Sequence, residues 1–172
     1  NMTPKMTRAE IVELVRAKDF AAVVWKPWQQ EVLDLVGSST CTRTIFWFYE
    51  RTGNVGKSFL CKYLAMDPNC VICSGKSADI FNQVNATIEA GTYPKVVVCD
   101  VPRTSLDYLS YTAIECLKNG LLYSGKYEGG KCIFPSPVVV CFANEKPKQE
   151  KLSSDRWWIG KIQNDKLFKC LI

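Results

Sequence analysis

Apolar positions in this chain come in short runs whose period changes along the sequence. Near the start, Thr7 and Glu10 form a capping-box pair, followed by Ile11, Leu14 and Val15 at helical spacing. A second helix is predicted from Pro27, a residue suited to a first turn, carrying Trp28, Val32, Leu33 and Val36 and stopping at Gly37. Polar residues 38–42 then read as a linker. Beyond them, apolar runs of strand length alternate with helical patterns. The runs Ile45–Tyr49, Cys70–Cys73, Val96–Cys99, Leu121–Tyr123 and Val138–Phe142 read as strands. Helices are expected around Phe59, Leu60, Tyr63 and Leu64, from a cap at Ser77 through Ile80, Val84 and Ile88 to Gly91, and from Leu106 through Leu117 to Gly120. Continuous Val-rich strands alternating with helices define an α/β domain with a largely parallel sheet covered on both faces. The expected division is a helical segment over residues 1–40 and an α/β core over residues 41–172.

Composition narrows the function classes. With 172 residues, 47% hydrophobic and 23% charged, the chain has the length and balance of one globular domain. Its 22 basic against 17 acidic residues leave a formal charge of +5, compatible with a polyanionic partner but insufficient to specify one. Nine cysteines lie mostly inside apolar runs, where they pack as small hydrophobes; no secretory run opens the sequence and no apolar stretch is long enough to span a bilayer. A reduced intracellular compartment without a membrane span is expected. Cys70 and Cys73 form a lone C-x-x-C pair that lacks the partners of a zinc site, and the absence of histidine excludes chemistry that needs an imidazole.

The segment Gly53-Asn54-Val55-Gly56-Lys57-Ser58 lies between a strand and a helix, the setting that a phosphate-binding loop requires. Glycines let backbone amides converge on phosphates, and a helix N-terminus adds its positive dipole end. In such a loop Gly53, Asn54, Val55 and Gly56 line the triphosphate, Lys57 reaches its outer phosphates and Ser58 supplies a hydroxyl to Mg²⁺. Arg51 stands where the usual pattern has its first glycine. Asp100 ends a buried strand, where an acid can hold Mg²⁺; a cap on the following turn is the alternative reading. Asn144 ends another, where an amide can orient water or sense the outer phosphate. Arg156 suits either a surface ion pair or a finger offered to a neighbouring subunit's nucleotide. Mg-ATP is the implied ligand.

Taken in order, these motifs resemble the helicase domain of replication initiator (Rep) proteins of circular single-stranded DNA viruses, of the circovirus, nanovirus and alphasatellite kind. The resemblance covers roughly residues 44–162: Gly53 to Ser58 as Walker A, Val96 to Asp100 as Walker B, Lys126-Tyr127-Glu128-Gly129-Gly130-Lys131 as the B-prime loop, Val138 to Asn144 as motif C, and Leu152 to Trp157 as the finger segment. It implies an AAA-type P-loop core, ATP hydrolysis coupled to DNA unwinding by a hexameric ring, and work in the host nucleus. It further implies catalytic roles for Lys57, Asp100, Asn144 and Arg156, metal binding by Ser58 and Asp100, and single-stranded DNA contacts by Lys126, Tyr127 and Lys131. Residues 1–40 match the oligomerisation segment of such initiators. Many relatives carry two adjacent acids in Walker B, whereas Val101 follows Asp100 here; Glu115 is the less favoured substitute. The His-dependent nickase of complete initiators is not expected in a chain without histidine. The rival readings are a P-loop nucleotide switch or small kinase, and a nucleic-acid-binding module without turnover.

Overall fold

The computed structural model describes residues 4–124 and 130–171. Helices α1 (Arg8–Val15) and α2 (Pro27–Ser38) open the chain, and β1 (Ile45–Tyr49), α3 (Lys57–Leu64), β2 (Cys70–Cys73), α4 (Ser77–Glu89), β3 (Val96–Asp100) and α5 (Tyr111–Asn119) follow. A small hairpin of β4 (Leu121–Tyr123) and β5 (Lys131–Ile133) precedes β6 (Val138–Ala143), β7 (Trp157–Gln163) and β8 (Lys166–Lys169). The main sheet runs in the order β2-β3-β6-β1-β7-β8, parallel throughout except for β8, which pairs antiparallel with β7. The α/β class, the mostly parallel sheet and the helical N-terminus expected from the sequence are all present.

Every residue of β1 is buried, because the strand lies inside the sheet and both of its faces are covered. Ile45, Trp47 and Tyr49 join a cluster with Ile80 and Val84 of α4, Ile114 and Leu117 of α5, and Leu122 and Cys132 of the hairpin. Phe46 and Phe48 point the other way, toward Trp28 and Val32 of α2 and Leu60 and Cys61 of α3. Thus α2 is packed into the core, ahead of the polar linker. By contrast α1 buries none of its residues: its capping box between Thr7 and Glu10 is in place, while Ile11 and Leu14 stay half exposed. A π-helical turn, Arg16–Phe20, follows it and inserts Phe20 among Trp25, Phe59 and Tyr63. Among the described residues, no helix is long and apolar enough to cross a membrane.

Several local expectations are corrected. The helix expected from Leu106 breaks in two, a 3-10 segment Arg103–Tyr108 and then α5, capped by the Ser110 hydroxyl on the Ala113 amide at 3.1 Å. The break is tertiary in origin: the Ser110 amide donates to the Gly75 carbonyl at 3.1 Å, which fixes it outside a helix. Ser77 is the first residue of α4 and not its cap, which is Lys76. Two strands, β7 and β8, stand where the sequence was read only as a finger segment and tail. Cys70 and Cys73 fall on opposite faces, Cys73 in the α4–α5 cluster beside Cys99 (Sγ–Sγ 3.5 Å) and Cys70 against the α2–α3 cluster. A strand of period two cannot aim residues three apart at one metal.

Gly120 ends α5 with φ +80°, and a Cβ there would overlap the Phe134 carbonyl oxygen, whereas a Cβ on Gly37 in α2 meets nothing within 4 Å. Gly120→Ala is therefore expected to cost more than about 2 kcal/mol from left-handed strain plus backbone overlap. Gly37→Ala should instead add about 0.5–1 kcal/mol. Chemical denaturation of the two variants beside the parent chain checks both.

Candidate functional site

In a parallel sheet, the ends of adjacent strands share one edge. Here β3, β6 and β1 are neighbours, so Asp100, Asn144 and the loop that leaves β1 come together. The loop turns through three left-handed residues, Gly53 (φ +83°), Asn54 (φ +58°) and Gly56 (φ +99°), before Lys57 opens α3. Arg51 is not among the residues with positive φ, so the loop's entry needs no glycine. Its side chain turns aside to Glu145 (3.2 Å), and its carbonyl accepts from Arg103 Nη2 at 2.7 Å.

The loop's carbonyls are held from outside by the start of α2. Val55 O accepts from Trp28 Nε1 at 3.2 Å and from Lys26 Nζ at 3.3 Å, and Gly56 O accepts from Gln29 Nε2 at 3.1 Å. Trp28 is fully buried and Gln29 nearly so. No peptide here is cis, and in a trans unit the N–H points opposite to the C=O. Fixing the Val55 and Gly56 carbonyls toward α2 therefore aims the amides of Gly56 and Lys57 into the loop. Gly56 has a second reason to be glycine, since a Cβ would lie 2.7 Å from Gln29 Nε2.

Within the loop, Lys57 Nζ is 2.9 Å from Glu50 Oε1 and 3.0 Å from the Ala143 carbonyl. Glu50, 1% exposed, also accepts from the Gly53 amide (2.5 Å), the Thr52 hydroxyl (3.2 Å) and Asn144 Nδ2 (3.3 Å). Burial pushes its carboxyl up, but Lys57, the Gly53 amide and Thr52 outweigh it and hold Glu50 below the ordinary carboxylate range. Asp100 goes the other way: burial raises it, with the Lys57 charge as a partial offset. Val101 is 2% exposed within the α4–α5 cluster, so an acid at that position would face apolar core and not the site. Ser58 is exposed on the first turn of α3.

The inward amides, the loop lysine and the helix end fit a triphosphate. Ser58 and Asp100 are the oxygen donors that could hold an Mg²⁺, which keeps several waters and takes few ligands from protein. Lys57, Asp100 and Asn144 are brought together as the sequence suggested. Reading the sequence missed Glu50 and the Lys26–Trp28–Gln29 clamp. A glutamate directly after five apolar strand residues was the available signal for the first; for the second there was none beyond the Trp-Gln pair.

Arg156 lies elsewhere. It is 2% exposed and bonded inside the chain: Nη2 to Asn119 Oδ1 at 2.7 Å, Nη1 to the Arg43 carbonyl at 3.3 Å, and Nε 3.3 Å from Glu115 in an ion pair without hydrogen-bond alignment. These contacts turn the guanidinium inward within this chain, whereas the sequence alone suggests either a surface ion pair or a finger offered to a neighbour. They also pair Glu115, which keeps 38% of its side chain exposed, with the Arg156 guanidinium. Lys131 is exposed on β5, opposite Tyr123. Lys126 and Tyr127 lie outside the described residues.

Sheet order and loop together define a P-loop-like α/β core. No family model matches the chain. Its sequence is 35% identical over 131 residues to the Para-Rep C9 protein of Faba bean necrotic yellows C9 alphasatellite, covering 75% of this chain and 45% of that one. It is 37% identical over 136 residues to Para-Rep C6 of Subterranean clover stunt C6 alphasatellite, covering 76% and 45%. With the master replication protein of Banana bunchy top virus it shares 36% over 130 residues, covering 75% and 43%. Over three quarters of its length the chain is thus a relative of Rep-type replication initiators, and it spans under half the length of these relatives.

Arg156→Ala leaves Asn119 and a partly exposed Glu115 without their guanidinium. A loss of about 2 kcal/mol is expected from the charge-assisted hydrogen bonds alone. A thermal melt checks it: an unchanged midpoint would return Arg156 to a surface role.

Proposed function

We propose that this chain is the ATP-hydrolysing helicase part of a viral rolling-circle replication initiator, using Mg-ATP to move along and unwind DNA. The observation that carries the reading is the loop after β1, whose carbonyls are tied back by α2 while its amides and Lys57 face inward beside Asp100 and Asn144. Similarity to master replication proteins and Para-Reps supports the replication context.

In this reading the amides from Gly53 to Gly56 and the Lys57 ammonium bind the phosphates, while Ser58 and Asp100 hold the metal. Magnesium supplies charge neutralisation on the phosphate oxygens. Asn144, anchored to Glu50 through its amide, orients the attacking water. Lys131, with Lys126 and Tyr127 of the sequence segment 126–131, contacts single-stranded DNA through the phosphate backbone and by stacking. Self-association into a ring, a hexamer in the proposal, has a candidate surface at α1, where Met6 just ahead of the helix and Ile11 and Leu14 on it are exposed. The proposed place of action is the host nucleus. A second reading, a nucleotide- or nucleic-acid-binding module without turnover, is favoured by one observation, the apolar Val101 beside Asp100. Phosphate release measured with and without single-stranded DNA separates the two.

Lys57→Ala is expected to abolish phosphate release in a chain that still folds; turnover at the parent rate would sink the proposal. Metal binding needs Asp100 ionised, and burial raises its carboxyl. At limiting Mg²⁺, turnover should consequently fall on the acid side at a pH above that of an ordinary aspartate, as protons displace the metal. Raising Mg²⁺ should move that limb to lower pH, because metal and proton compete for one carboxylate; an acid limb that does not move with Mg²⁺ would remove Asp100 from metal binding.

Replacing Lys126 and Lys131 together by Ala should weaken single-strand binding regardless of sequence. Each lost phosphate contact should flatten the slope of log K against log salt by about 0.7. Phosphate release without DNA should persist. Equal slopes for the parent and the double variant would leave the DNA path unassigned.

A further inference from the structure

We infer that Glu50 is a positioning residue that stands in for phosphate: its carboxylate holds the Lys57 ammonium under the loop, and a nucleotide must win that lysine from it. The inference rests on the nucleotide reading above and assigns a role to a residue which that reading uses only to anchor Asn144.

The geometry separates the partners of Glu50 into fixed and movable ones. Oε2 accepts from the Gly53 amide and the Thr52 hydroxyl, donors only two and three residues ahead on the same turn. Oε1 accepts from Asn144 Nδ2 at 3.3 Å and lies 2.9 Å from Lys57 Nζ. Only Lys57 sits on a long flexible stem, and its side chain keeps 15% exposure against 2% for Glu50. When the ammonium leaves, Oε1 keeps Asn144 and Oε2 keeps both of its donors. The carboxylate is never stranded without partners, so the exchange is reversible and its cost is moderate.

One ammonium has three donors, and here two point at this chain's own acceptors, Glu50 and the Ala143 carbonyl. A phosphate taking up Lys57 competes with both. A carboxylate this close to the ammonium also repels the phosphate charge drawn to it. Glu50 therefore lowers affinity while keeping the loop shaped through Gly53 and Thr52. Gln at the same position keeps an acceptor for Gly53 and removes the charge that holds Lys57.

The test uses two readouts on the nucleotide-free chain and its Glu50→Gln and Glu50→Asp variants. Amine labelling of Lys57 by an N-hydroxysuccinimide ester, followed by mass spectrometry, should be slow in the parent and several-fold faster in both variants. Binding of a fluorescent ATP analogue with Mg²⁺ should tighten about tenfold in Glu50→Gln, equivalent to about 1.4 kcal/mol. A residue that merely braced the loop would weaken binding on replacement. Parent-like labelling in both variants, or weaker or unchanged binding by Glu50→Gln while the parent binds normally, overturns the role of Glu50 alone. Failure of every form to bind the analogue, the parent included, sinks the nucleotide reading and this inference with it. Should Glu50→Gln not fold, faster labelling in Glu50→Asp supports the inference and unchanged labelling overturns it.

Discussion

A trans peptide points its carbonyl and its amide in opposite directions, so a loop can offer amides to an anion only if something else takes its carbonyls. In this chain the first turn of α2 takes them. Trp28 and Lys26 bind the Val55 carbonyl and Gln29 binds that of Gly56, from positions almost thirty residues earlier. The left-handed residues Gly53, Asn54 and Gly56 make the turn possible, and the clamp decides which way its polar groups face. Without α2 the same sequence of glycines would be an ordinary turn. The rest of the site is arranged around that orientation: Lys57 is carried on the helix that the loop starts, and Glu50 closes the loop from beneath.

The parallel sheet supplies the remaining parts by register. Asp100 pairs with Phe142 and Tyr49 with Ala143, so the ends of β3, β6 and β1 are level. Three side chains far apart in sequence thereby meet without any contact between their own segments being specified. The environments at that edge then divide the labour. Glu50 is surrounded by donors and stays ionised, whereas Asp100 has burial against it and one nearby cation in its favour. Two carboxyls in one site thus respond to protons and cations differently.

Much of this was legible in the sequence because the signals are local. The Val-rich runs, the Thr7–Glu10 capping box, Pro27 at a helix start and the loop glycines are patterns of neighbours, and neighbours suffice to read them. Glu50 was passed over because its partners are divided between its own turn and Asn144, which comes 94 residues later. The partners of Arg156 escape the sequence for the same reason: its acceptors are Asn119 and Arg43, 37 and 113 residues away. The strands β7 and β8 lack a clean alternation of apolar and polar residues, and the first overlaps the segment read as a finger. The helix from Leu106 failed at Ser110, where the Gly75 carbonyl, 35 residues back in sequence, captures the amide. In each case a contact across the fold overrode the local period.

The last hairpin also bears on the phosphate loop. Asn164 and Asp165, both left-handed, form the turn between β7 and β8. The Asp165 carbonyl accepts from the Trp28 amide at 3.0 Å, and its carboxylate lies 3.5 Å from Lys26 Nζ. The first turn of α2 is therefore fastened on one side to this hairpin and on the other to Val55 and Gly56. Two of its side chains serve the loop through groups that also depend on the hairpin: Lys26 shares its ammonium between Val55 and Asp165, and Trp28 is held by its backbone as its indole donates to Val55. A displacement of α2 large enough to break the hairpin contacts must also release the Val55 carbonyl and, with it, the direction of the Gly56 amide. The orientation of the loop is in this way conditional on both the first turn of α2 and the β7–β8 hairpin, which ties a motif of six residues to segments far from it in sequence.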